Sequence, residues 1–184
     1  MGRALVVGGS GMLATLSTRL ATDGGMTVGV IARTRDSLER MGSVSPGKVG
    51  RLIPMALDYH DLTRLRHWVA HFQLMEGPLD LVVAWIHEPV EPVLSAIISE
   101  VEAYRHMPWH LVEVVGSRGG VQPGSPVPRG TWCLSQRVVL GFMVESGFSR
   151  WLSHEEISQG VFEAIQSGQL QSMVGTLEPW DEHP

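Results

Sequence analysis

Residues Arg3 to Ala21, RALVVGGSGMLATLSTRLA, set an apolar run against a cluster of glycines and start a helical pattern immediately after it. Few folds accommodate that order. A strand must end in a turn too tight for most side chains, and the chain must go at once into a helix that packs back on the strand. Gly8, Gly11 and Ala14 recur at three-residue intervals, G-x-x-G-x-x-A. Each position has a task in a phosphate-binding turn. Gly8 permits the tight turn, Gly11 lets the backbone approach a pyrophosphate, and Ala14 is small enough for helix and strand to close on each other. The N–H groups that open the helix face the phosphates, helped by the helix dipole. Ser10 and Met12 lie on the same turn. These five positions are expected to bind a dinucleotide, although the same pattern also suits a strand–helix turn that holds no ligand.

The rest of the chain repeats the strand–helix alternation. Strands are expected at Ala4–Val7, Thr27–Ile31, Arg51–Ala56, Leu79–Ala84, Trp109–Val115, Phe148–Leu152 and Gln171–Thr176. Helices are expected at Met12–Thr22, Thr34–Met41, His60–Leu74, Val90–Arg105 and Thr131–Glu145. A last one starts at Ser153, where Glu156 three residues on makes a capping box. LDLVVA is apolar apart from Asp80, the pattern of a strand buried on both faces. This order predicts an α/β fold, a doubly wound parallel sheet covered by helices on both faces, in one domain spanning residues 1–184. Gly116–Gly130, GSRGGVQPGSPVPRG, is too rich in Gly and Pro for helix or strand and reads as a loop after the fifth strand.

The second strand ends VIARTRDSLE, where a protein that prefers NAD usually carries an acid for the ribose 2′-hydroxyl. Here the position offers Arg33, Thr34 and Arg35, and guanidinium groups suit a 2′-phosphate. NADP(H) is the cofactor this predicts. The plainer alternative has Thr34 capping the next helix and both arginines solvated.

At this point the chain resembles the short-chain dehydrogenase/reductase family (SDR), in an atypical, shortened, Rossmann-like form. VVGGSGMLA resembles the family's glycine motif, ARTRDSLE the NADP-selecting end of its second strand, and LDYHD the segment after its third. The resemblance implies that Asp58 meets the adenine amino group. LDLVVAWIH resembles the fourth strand and its sequel, usually Asn-Asn-Ala-Gly, which implies that Ala84 and Trp85 border the cofactor. LVEVVGS resembles the fifth strand, with Ser117 at the place of the catalytic serine. The family's Tyr-x-x-x-Lys pair, which moves the proton and holds the nicotinamide ribose, belongs near residues 130–136. That stretch is GTWCLSQ; the two tyrosines are Tyr59 and Tyr104, and Lys48 is the only lysine.

His87, after the fourth strand at the carboxyl edge, is the candidate acid or base, and Ser117 the candidate hydrogen-bond donor to a substrate carbonyl or imine. The alternatives are a histidine bonded to backbone and a strand-end turn serine. Cys133 reads as a small core residue, and His67 with His71 as a solvated helix face, so no metal site is expected. A net charge of −5 argues against non-specific nucleic-acid binding. No apolar run approaches the length of a membrane span, and one cysteine fits a reducing compartment, so a cytoplasmic location is expected. Apolar stripes on helices 90–105 and 131–145 match those that form dimers or tetramers in the family. Three functions fit: an NADPH-dependent reductase of a small carbonyl, imine or activated alkene; an NADP(H) sensor or scaffold without chemistry; and a cyclase or isomerase on the same scaffold.

Overall fold

The computed structural model describes residues 2–41, 50–117, 129–145 and 148–178. Seven parallel strands make the main sheet: β1 (Arg3–Val7), β2 (Thr27–Ala32), β3 (Arg51–Ala56), β4 (Leu81–Trp85), β5 (Trp109–Gly116), β6 (Cys133–Leu140) and β9 (Gln171–Val174). Their order is β3-β2-β1-β4-β5-β6-β9. β7 (Phe142–Glu145) and β8 (Phe148–Trp151) form a separate antiparallel pair. The helices are α1 (Ala14–Thr22), α2 (Arg35–Arg40), α3 (Leu62–Glu76), α4 (Val90–Tyr104) and α5 (His154–Ser167). The architecture is the doubly wound, single-domain α/β fold that the alternation predicts.

Strand alternation splits the core in two. Ala4, Val6, Val28, Val30, Leu81, Val83, Val112 and Val138 face the layer holding α1 and α5, where Leu16, Leu20, Ile157 and Val161 meet them. Leu5, Val7, Ile31, Val82 and Leu111 face α3 and α4, against Leu65, Phe72, Val93 and Ile97. Trp68 and Phe72 press onto β2 at Gly29, where a Cβ would stand 2.5 Å from the Trp68 ring, so only glycine fits. The switch in winding falls at β1: β2 lies on one side of it and β4 on the other. Ligands of such sheets bind at the carboxyl ends of the strands flanking that switch.

The connection from β6 to β9 runs outward in the same direction as that from β4 to β5. Yet α5 packs with α1, whereas α4 covers the opposite face. This last unit therefore has the opposite hand to β4-α4-β5, against the strong preference for right-handed crossovers. The β7–β8 pair precedes α5 and gives the chain the length to change faces. α5 opens with the predicted capping box: Ser153 Oγ accepts from the Glu156 N–H, and the Glu156 carboxylate accepts from the Ser153 N–H.

One predicted element is overturned. Residues 131–145 are not a helix; they form β6 and β7, parted at Gly141. Val138, Val139, Phe142 and Met143 fit a helical face, but a short apolar run also suits a strand buried on both faces, as Val138, Val139 and Leu140 are. The strand wins because β6 sits between β5 and β9 and completes hydrogen-bond ladders with both. The oligomer expected through helices 90–105 and 131–145 thus loses its second helix. Phe148–Leu152 is a strand, but in the hairpin and not in the main sheet. Residues 118–128 of the Gly/Pro loop lie outside the described residues.

A charged cluster sits on the α4 side of β5 and β6. Glu113, 4% exposed, pairs in register with Arg137. Arg129 grips Glu113 through Nε at 2.8 Å and a terminal nitrogen at 3.2 Å, and reaches Glu91 of α4 at 2.6 Å. Burial works against the Arg129 charge, but hydrogen bonds to Glu91 and Glu113 outweigh it and raise its pKa.

Candidate nucleotide site

The glycine turn stands at the carboxyl end of β1. Gly8 has φ +76°, and its N–H, like that of Gly9, donates to the Ile31 carbonyl of β2. A Cβ on Gly8 would lie 2.6 Å from the Trp85 carbonyl oxygen, so the position demands glycine twice over. Around Gly11 nothing lies within 4 Å of where a Cβ would be, leaving the turn open to a ligand. α1 begins at Ala14 with no side-chain cap, so its first N–H groups present a partial positive charge to that opening. Ala14 is the first residue of α1, and its N–H bonds to the Gly11 carbonyl.

Two cavities flank this turn. One of about 190 Å³ is lined by Gly8, Ser10, Gly11, Met12, Ala32, Arg33, Tyr59, Trp85 and His87. A second, of about 330 Å³, is lined by Ser10, Arg33, Thr34 and Ser37. They share Ser10 and Arg33. The second holds one guanidinium and three hydroxyls: Ser10 Oγ and Thr34 Oγ1 donate to Ser37 Oγ at 2.9 and 3.0 Å, and Ser37 donates to the Thr34 carbonyl. Thr34 occupies the N-cap position of α2 but makes no side-chain cap bond. A cationic fork among hydroxyls, without a lining carboxylate, suits a phosphate monoester. A larger cavity of about 750 Å³ lies at the outer edge of the sheet between α2 and β3, and it lacks the glycine turn.

The predicted residues divide. Gly8, Ser10, Gly11, Met12, Arg33, Thr34, Trp85 and His87 line the two cavities. Arg35 lines the outer cavity instead. Ala84 is buried in the core against the α3–α4 layer. Asp58 is exposed and accepts from the His60 N–H, and the His60 ring Nδ1 lies 3.4 Å from the same oxygen. Ser117 follows β5, 5% exposed, and lines neither cavity at the turn. Cys133 is buried as expected, and burial raises its thiol pKa. Residues 133–136, where the resemblance seeks a tyrosine and a lysine, are strand β6.

Two residues of the site escape the sequence reading. Tyr59 is 4% exposed, lines the smaller cavity, and its hydroxyl accepts the His87 N–H at 3.3 Å. His60 Nε2 meets the His87 carbonyl at 3.2 Å. The end of β3 thereby ties down the segment after β4 that carries the Trp85 and His87 rings, packed edge-on at 5.6 Å. Ser37 is the other. Its only signal is its place three residues after Thr34 in the first turn of α2. Among the described residues no cluster of His, Cys, Asp or Glu is arranged to hold a metal, and no helix is long and apolar enough to cross a membrane.

No family model and no curated protein matches the chain. Solved structures do. The chain is similar to a short-chain dehydrogenase/reductase from Serratia marcescens, with TM-score 0.71 and 17% identity over 95% of this chain and 96% of that one. A betaketoacyl-[ACP] reductase from Bacteroides thetaiotaomicron gives 0.67 and 18% over 98% and 99%. A short-chain type dehydrogenase/reductase from Mycobacterium marinum gives 0.70 and 16% over 95% and 93%. At such identities the likeness speaks for the backbone and not for the site. The chain has the Rossmann-like fold of the short-chain dehydrogenase/reductases.

Proposed function

We propose that this protein binds NADP(H) at the glycine turn and works as an NADPH-dependent reductase of a small carbonyl, imine or activated alkene. The observation that carries the proposal is the joined pair of cavities. An open glycine turn and an uncapped helix start adjoin a pocket of one arginine and three hydroxyls. The turn and the start of α1 hold the pyrophosphate, and Arg33, Ser10, Thr34 and Ser37 hold the 2′-phosphate. Tyr59 fixes the wall formed by Trp85 and His87. Bound NADPH supplies a hydride. His87 shares its cavity with Arg33, on the nucleotide side of the turn. This favours a wall role for its ring, with the proton coming from water or the substrate itself.

A second reading, an NADP(H) sensor or scaffold without redox chemistry, draws on one observation. The place of the family's proton-transfer pair is strand β6, and no tyrosine or lysine follows Ser117 anywhere in the chain. Titrating NADPH and NADH by cofactor fluorescence, then following NADPH oxidation with a panel of carbonyls and imines, separates the two. Turnover supports the reductase, and a His87→Ala variant that keeps it supports the wall role. Tight binding without turnover supports the sensor. If neither dinucleotide binds at about 1 mM, both readings fall.

A further inference from the structure

Trp85 has a geometry that nucleotide binding does not by itself explain. The 2′-phosphate pocket lies on the β2 side of the glycine turn. β4 and β5 lie on the other side of β1. A dinucleotide with its adenosine half beside Arg33 and its pyrophosphate on the turn must therefore send its other half over the ends of β4 and β5. Trp85 is the last residue of β4 and lies across that route. A Cβ on Gly8, at the end of β1, would stand 3.3 Å from the indole Cδ1, and one on Gly116, at the end of β5, 3.5 Å from Cη2. The indole thus spans from the end of one strand to the end of the other. It is half-buried, packed in part on the core between the sheet and the α1–α5 layer. His87 meets it edge-on from the cavity side.

Resting on the NADP(H) reading above, we propose that the Trp85 indole is the platform on which the nicotinamide ring stacks, and so sets the site's preference for a complete dinucleotide over its adenosine half. Flat aromatic heterocycles gain from offset stacking, and the positively charged oxidised nicotinamide gains further over an electron-rich indole. Stacking of a base on an aromatic side chain is worth about 1–3 kcal/mol, or roughly a five- to hundredfold gain in affinity.

The test compares NADP+ with 2′-phospho-ADP-ribose, the same molecule without nicotinamide, by calorimetry on the wild type, Trp85→Leu and Trp85→Phe. Leu keeps apolar bulk and Phe keeps an aromatic face, so one of them preserves packing if the other does not. The expected result is that the wild type prefers NADP+ by roughly five- to hundredfold, Trp85→Phe keeps most of that preference, and Trp85→Leu abolishes it. Near-wild-type thermal midpoints establish that the variants are folded, and because Trp85 also lines the cavity that contains Arg33, the readout is the ratio of the two affinities and not either one alone. NADP+ should also quench tryptophan fluorescence in the wild type more than in Trp85→Phe. The proposal is overturned if Trp85→Leu keeps the preference. It is equally overturned if the wild type shows none and Trp85→Leu acquires one, for then the indole is a barrier. Failure of both ligands to bind the wild type refutes the NADP(H) reading itself.

Discussion

Replacing Arg33 with alanine should convert a site that prefers NADPH into one that barely distinguishes it from NADH. Arg33 is exposed, shares its cavity with the Ser10, Thr34 and Ser37 hydroxyls, and has no carboxylate among the lining residues of that cavity. Its guanidinium is thus available to a phosphate. A hydrogen bond to a charged group is worth about 1.5–3 kcal/mol when sheltered. Exposure screens it, so about 1–2 kcal/mol is the appropriate range, a loss of roughly five- to thirtyfold in NADPH affinity. NADH lacks the 2′-phosphate, and its affinity should stay within about twofold. The hydroxyls remain in Arg33→Ala, so a residual preference of a few-fold should persist, near the value of one neutral hydrogen bond of about 1 kcal/mol. Lysine keeps the charge but not the fork, and Arg33→Lys should fall between the two. Arg35 faces the outer cavity, so Arg35→Ala is the control and should leave the NADPH-to-NADH ratio unchanged. The assay is fluorescence titration of both cofactors at about 0.1 M and 1 M salt, between which the Debye length shrinks from about 10 to about 3 Å. The wild-type ratio should drop at high salt and the Arg33→Ala ratio should not. Equal weakening of NADPH and NADH, or a ratio that ignores both mutation and salt, would refute the assignment.

Three further outcomes follow from packing and charge. Glu113→Gln removes the buried partner of Arg129 and Arg137 and should cost roughly 3 kcal/mol in urea unfolding, whereas Glu91→Gln, on the same Arg129 but 69% exposed, should cost less than about 1. Equal costs would show that burial is not what separates them. The Arg150 guanidinium, with the Ser153 N–H, holds the Glu156 carboxyl down to about 2 from an ordinary 4.5. A depressed carboxylate contributes stability that is complete above about pH 4.5 and is lost as the pH falls towards 2, so Glu156→Gln should flatten unfolding free energy in that window. Solvent screens this exposed pair, so the effect should be small; parallel wild-type and mutant pH profiles would count against it. Gly8→Ala combines a positive φ with a Cβ 2.6 Å from the Trp85 carbonyl and should lower stability by roughly 2 kcal/mol or more, read as a drop in thermal midpoint.

The sequence and the structure agree where a signal is local. β1, β2, β4 and β5 are short apolar runs bounded by turns or helices, and their buried flanks leave no other reading. The capping box of α5 is equally local, because Ser153 and Glu156 bond each other and nothing remote. The glycine turn is legible for the same reason. Residues 131–145 fail because two periods fit them and only the flanking strands β5 and β9 choose between them. Tyr59 and Ser37 fail differently. Tyr59 joins the site through a bond to His87, 28 residues away, and Ser37 through one to Ser10, 27 away. No pattern inside β3 or α2 announces either contact; it exists because the sheet order brings the ends of β1, β2, β3 and β4 together.

That order also explains how the proposed nucleotide site can stand in a chain without the tyrosine and lysine that the resemblance places near residues 130–136. The two cavities at the glycine turn draw on the ends of β1, β2 and β4 and on the segment after β3. In the family resemblance the tyrosine and lysine belong to the stretch after β5. Here the described part of that stretch leads through Arg129 into β6, whose α4-side face carries Arg137 opposite Glu113. Among the described residues different hydrogen bonds hold the two halves: Arg129 ties the stretch to α4 and β5, whereas Tyr59 ties the segment after β3 to the segment after β4. Remodelling one half therefore leaves the other's contacts standing. Affinity for NADP(H) and turnover should then respond to separate mutations, affinity to Arg33 and Trp85, stability of the remodelled half to Glu113. A Glu113→Gln variant that unfolds more easily yet binds NADPH as tightly as the wild type would display that independence directly, and a parallel loss of affinity would show that the two halves are mechanically joined.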